Sequence, residues 1–109
     1  MASSNLTQEG ETEMKMQEKV ISETPALVLR AARATGRDAE EEIMFSDLRE
    51  AEIGSEWQAS GGGSLFSEYQ RATLIFRNER IAGVVVERYH AANGEETCTQ
   101  ILQAFSLER

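Results

Sequence analysis

At 109 residues with 40% apolar content, the chain suits one domain and can bury a core without covalent staples. A formal net charge of −8 sets it against phosphate backbones and anionic lipid, which disfavours direct nucleic-acid or membrane binding. One cysteine (Cys98) excludes an internal disulfide, and together with one histidine (His90) it falls short of the four ligands of a structural zinc site.

Residues 1–12 are polar, with Leu6 the only sizeable apolar side chain after Met1, and read as a flexible tail. Residues 13–109 are expected to form a single small α+β domain. No charged and apolar leader pattern and no apolar run of membrane-spanning length stands in the sequence, which points to a cytoplasmic protein. Residues 13–22 place Met16 and Val20 at helical spacing behind Thr12 as an N-cap, although a short strand over 19–21 fits as well.

Thr24-Pro25 is a firmer start signal, because Thr caps a helix and Pro is favoured in its first turn. Residues 25–34, with Leu27, Val28, Leu29, Ala31, Ala32 and Ala34, are therefore predicted as a helix stopped by Gly36. Asp38 caps a second predicted helix, with Glu40, Glu41 and Glu42 in its favourable first turn. Met44, Leu48 and Ala51 follow at i, i+4, i+7, and Gly54 ends the run. Two short helices across a glycine turn suggest a helix-turn-helix, but Glu40, Glu41, Glu42, Asp47, Glu50 and Glu52 would face phosphate with only Arg49 to help.

Residues 55–59, including Trp57, read as a short strand. The Ser60-Gly61-Gly62-Gly63-Ser64 run lacks the Lys-Ser/Thr ending of a P-loop and the spacing of a dinucleotide fingerprint. It reads as a flexible loop between strands, with the composition of a native or an engineered linker, rather than an anion cradle.

Residues 65–77 read as strand, and residues 72–89 form the densest β-branched and apolar stretch, a predicted hairpin. A tight turn at Asn78-Glu79 pairs Phe76 with Ile81, Leu74 with Gly83 and Ala72 with Val85. Arg71, Thr73, Ile75, Val84, Val86 and Arg88 then share the other face. Neither face is polar throughout, so each must be covered. The first candidate cover is the chain's own helices; the second is another copy or a partner.

Asn93-Gly94 is the strongest two-residue hairpin signal. It predicts residues 97–105 as a returning strand, against a helical reading of Cys98, Ile101, Leu102 and Phe105 at i, i+3, i+4, i+7. That turn sets His90 opposite Thr97 and Tyr89 opposite Cys98. Imidazole and thiol then project from opposite faces, which argues against a cysteine hydrolase. Cys98 is expected as a small buried hydrophobe, His90 as a solvated strand-end residue, and Glu87 as a cross-strand partner of Gln100 or a nearby arginine. No nucleophile elbow supports a serine triad.

Residues 1–56 hold 13 acids against 6 bases, whereas residues 57–109 hold 6 against 5. Glu40, Glu41, Asp47 and Glu50 are read as a solvated acidic surface, since neighbours on a helix spread rather than converge on a metal. Arg71, Arg77, Arg80 and Arg88 of the hairpin are expected to pair with the acidic N-terminal helices of the same chain or of a second chain, in preference to an anionic ligand or an acidic partner patch. No cofactor or metal is expected.

Together these features predict an α+β fold: a tail, two or three short helices, and an antiparallel meander of three or four strands. The expected function is a non-enzymatic acidic regulator or inhibitor. It would act as a homodimer and occlude the working surface of a protein partner, a basic one by charge. The alternative is a small-molecule pocket between helices and sheet near Trp57, Tyr69, Arg71 and Arg88.

Overall fold

The computed structural model describes residues 24–108, so the expectations for 1–12 and 13–22 lie outside the described residues. Its element order is β1 (Pro25–Ala31), β2 (Ala39–Met44), α1 (Phe45–Glu50), β3 (Glu56–Gly62), β4 (Phe66–Arg77), β5 (Ile81–Ala92) and β6 (Glu95–Ser106). β1 and β2 form a two-stranded antiparallel sheet, and β3-β4-β5-β6 form a four-stranded antiparallel meander. The fold is thus mostly β, not α+β with two or three helices.

The first correction concerns residues 25–34, which are strand rather than helix over Pro25–Ala31. Burial follows a period of two: Leu29 and Ala31 are fully buried, while Arg30 between them is exposed. Alanine and leucine favour helix in isolation, but tertiary pairing overrides that preference. Leu29 lies opposite Glu41 and Ala31 opposite Ala39. Pro25 opens the strand, where its missing N–H is tolerated.

The second predicted helix is also mostly strand. Ala39–Met44 pairs with β1, and Arg30 meets Glu40 at 3.0 Å across the two strands. Only Phe45–Glu50 is helical, and Asp47 caps it by accepting the Met44 backbone N–H at 3.0 Å. Leu48 is the buried residue of that single turn and a half.

β1, β2 and α1 pack on one face of the meander. Leu29, Ile43, Leu48, Leu74 and Val84 are the largest fully buried side chains. Ala31, Ala39, Ala59, Ala72 and Ala82 join the same cluster. Small residues on the facing strands let the two sheets approach closely. Ala31, one of the alanines that suggested a helix, is instead a spacer between layers.

Gly61, Gly62 and Gly63 belong to this packing rather than to a loose linker. β3 runs through Gly62, leaving only Gly63, Ser64 and Leu65 as the connection to β4. The 32–34 segment crosses beside them: the Gly62 N–H donates to the Ala32 carbonyl at 2.7 Å, and the Ala34 N–H donates to the Gly62 carbonyl at 3.2 Å. A Cβ on Gly61 would fall 2.2 Å from the Ala32 oxygen. Backbone passing over backbone is what requires glycine there.

The β4–β5 turn differs from the predicted one in a way that reassigns faces. Asn78 does not take positive φ; among the described non-glycine residues only Asn93 does. Instead the Asn78 side-chain oxygen accepts the N–H groups of Arg80 at 2.7 Å and Ile81 at 2.9 Å. This closes a longer loop. A register shift then falls between Leu74 and Phe76. The result pairs Ala72 with Val86, Leu74 with Val84, and Phe76 with Gly83. The β5–β6 hairpin, by contrast, has the register its turn implies, with His90 opposite Thr97 and Tyr89 opposite Cys98. Asn93 (φ 55°) and Gly94 (φ 79°) supply that turn.

Candidate interaction face

The two faces of the meander are chemically different. The covered face carries Ala72, Leu74, Ala82, Val84 and Val86 beneath β1 and β2. At its far end Glu68 and Gln70 reach up to β1. The Ala32 N–H donates to Glu68 Oε2 at 2.5 Å and the Arg30 N–H donates to Gln70 Oε1 at 3.1 Å. The other Glu68 oxygen lies 3.0 Å from His90 Nδ1, and the His90 ring stacks on Phe66 at 5.8 Å. The backbone N–H of Ala32 holds the Glu68 carboxyl below its usual range, with His90 adding to the effect.

No described element covers the opposite face. Its side chains follow from alternation along the register: Glu56 and Gln58 on β3; Tyr69, Arg71, Thr73 and Phe76 on β4; Ile81, Val85, Glu87 and Tyr89 on β5; Cys98, Gln100 and Leu102 on β6. The face divides into two regions.

One region is apolar. Phe76 is 48% exposed, Leu102 66% and Ile81 38%. Phe76 and Leu102 flank Gly83, where a Cβ would lie 3.4 Å from one and 3.9 Å from the other. Ile75, at the register shift, adds another exposed side chain.

The second region is aromatic and ionic. Tyr69 and Tyr89 stack at 4.9 Å, and the Arg71 guanidinium lies 5.2 Å from the Tyr69 ring centroid. Arg71 Nη2 donates to Glu87 Oε1 at 2.5 Å, and the Cys98 thiol donates to Glu87 Oε2 at 3.3 Å. Tyr89 Oη donates to Glu96 at 2.7 Å. Arg71 holds the Glu87 carboxyl below its usual range, with Cys98 helping. The same carboxylate pushes the Cys98 thiol up, so the thiol stays protonated and is a poor nucleophile. Cys98 is exposed rather than buried as the sequence suggested, because it lies on the outermost strand.

The residues expected to share an interaction face are split by the register. Val84 and Val86 lie in the chain's own core, and Arg88 lies on their face beyond the covering strands. Arg71 and Thr73 lie on the open face, with Ile75 at the shift between them and Phe76. Trp57 packs on the core side opposite Ala72, whereas Tyr69 points the other way, so the two do not line one pocket. The acidic set is dispersed: Glu40 pairs with Arg30, Glu41 shares the inward side of β2 with Ile43, Asp47 caps α1, and Glu50 ends that helix. Among the described residues the hairpin arginines form no salt bridge with acids of the first half. Arg71 takes Glu87, Arg80 lies 3.7 Å from Glu108, and Arg77 donates to the Leu48 and Ala51 carbonyls at the end of α1.

Sequence reading missed Tyr89, Cys98, Phe76 and Leu102 as members of one surface. The Asn93-Gly94 register already put Tyr89 beside Cys98, but the β4 side needed the shift at Ile75. Among the described residues no group of three or more His, Cys, Asp or Glu side chains could hold a metal ion, and no helix is long and apolar enough to cross a membrane. Comparison with protein-family models, curated proteins and solved structures finds no match for this chain.

Proposed function

We propose that this protein works by protein–protein contact, using the open face of its large sheet to occlude a partner's surface. The observation that carries this reading is the single-sided covering of the meander. β1, β2 and α1 bury one face, while Phe76, Ile81 and Leu102 remain exposed together on the other. A contiguous apolar patch beside stacked tyrosines and an arginine has the composition of an interface centre.

Glu56 and Glu96 lie on the same face at its outer strands, and the whole chain carries −8. The fitting partner presents an apolar patch rimmed by basic groups, which the acidic rim would steer into place. The Arg71–Glu87 pair and the protonated thiol fit a fixed, chemically inert surface better than a reacting centre.

The test is capture of partners by immobilised protein carrying Phe76→Asp or Leu102→Asp. Leu65→Asp serves as a control, because Leu65 is 83% exposed and lies in the β3–β4 connection away from the face. A protein held by the wild type and the control but released by both face variants supports the reading. A partner set unchanged by both face variants refutes it.

A further inference from the structure

We propose that β6 is a self-association edge: two copies pair β6 against β6, antiparallel, about a two-fold axis normal to the sheet. The result is a continuous eight-stranded sheet. The proposal rests on the strand's edge and not on the identity of any partner of the open face.

The two edges of the meander are treated differently by the fold. The β3 edge is short, seven residues, and its Gly62 end is tied to the 32–34 segment through a parallel bridge between Arg33 and Gly62 and the backbone hydrogen bonds beside it. The β6 edge has no partner among the described residues and is exposed along nearly its whole length. It is 12 residues long, about 40 Å when extended. Every second residue turns its N–H and C=O groups outward. Protected edges are short, bulged, or carry proline or inward-pointing charge. β6 has no proline, no lysine and no register shift against β5; its only charges, Glu95 and Glu96, stand at its first two positions.

Charge and symmetry choose the arrangement. Parallel pairing would set the four glutamates of two copies side by side. Antiparallel pairing separates them to opposite ends. Each pair then lies near the far end of the other strand, where Leu107 donates its N–H to the Arg80 carbonyl. A two-fold axis normal to the sheet keeps the covered faces together, so only residues of the same face can stand opposite one another. Among the pairings allowed by that rule, the one centred on Ile101 overlaps almost all of β6 and sets Ile101 of one copy against Ile101 of the other at the axis. Ile101 is 48% exposed on the covered side, just beyond the reach of β1 and β2.

The experiment uses the purified full chain alone. Light scattering with size-exclusion over a dilution series should give the mass of two chains, falling to one on dilution. Ile101→Lys should give one chain throughout with an unchanged circular dichroism spectrum. Ile101→Cys in a Cys98→Ser chain should form a disulfide-linked dimer under mild oxidation, because the two Cα atoms face each other across the axis. A wild-type chain with the mass of one copy at every concentration overturns the proposal. So does a dimer that survives Ile101→Lys, or one in which Ile101→Cys fails to cross-link. A dimer that ignores Ile101→Lys but is lost with Phe76→Asp, on β4 away from the β6 edge, would place self-association on the open face instead. Partner capture by a monomeric Ile101→Lys chain reports on the open face separately.

Discussion

Arg71 and Glu87 meet at 2.5 Å across β4 and β5, and the second oxygen of Glu87 accepts the Cys98 thiol from β6 at 3.3 Å. Three neighbouring strands are thereby tied by one carboxylate on the open face. That carboxylate raises the thiol's pKa by disfavouring the thiolate beside it, with desolvation adding to the effect. Glu87→Gln removes the negative charge, so the thiolate fraction at a fixed pH below the thiol's pKa should rise. Iodoacetamide labelling of Cys98 should then run several-fold faster than in the wild type. An unchanged rate would show that Glu87 does not control the thiol.

Val84 and Leu102 separate core from surface. Val84 is fully buried, and Val84→Asp would place an unpaired carboxylate among Leu29, Leu74 and Ala82. The expected cost is about 4 kcal/mol or more, a large part of a small domain's stability, and the cooperative thermal transition should be lost. Leu102→Asp should stay within about 0.5 kcal/mol of the wild type, because its side chain already stands in solvent. Circular dichroism melts compare the two directly.

Gly61→Ala should destabilise by about 1–3 kcal/mol, since its new Cβ would strike the Ala32 carbonyl and only a backbone shift relieves it. Ser64→Ala, in the exposed connection three residues on, should be nearly neutral. Denaturant midpoints at equal m-value test the pair.

Glu68 makes the attachment of the 30–34 segment sensitive to acid. Its folded pKa lies below the ordinary 4.5, chiefly because the Ala32 N–H donates to the charged form. A carboxyl with a depressed folded pKa contributes stability above its unfolded value and loses it as pH falls through the folded value. The Ala32 amide resonance should titrate in that window, below pH 4.5. Glu68→Gln should remove this titration and flatten the acid limb of the stability curve.

Much of the large sheet is legible in the sequence. Residues 72–89 announce a hairpin through their β-branched density, and Asn93-Gly94 sets the β5–β6 register because both residues supply the positive φ of a two-residue turn. With that register come the opposed faces of His90 and Cys98 and the pairing of Glu87 with Gln100. Local turn chemistry involves only neighbours in the chain, so it can be read without knowing the fold.

The remaining structure belongs to contacts between distant segments. Residues 25–31 and 39–44 have the composition of helices and become strands because each supplies the other's backbone partners over the meander. The shift between Leu74 and Phe76 decides that Val84 is core and Phe76 surface, and no residue type in β4 announces it. Because side chains alternate at every residue, a one-position change of register exchanges the buried set for the exposed one. Sequence alone therefore established that two strands pair at 72–89. Tertiary packing chose which of their faces is left bare.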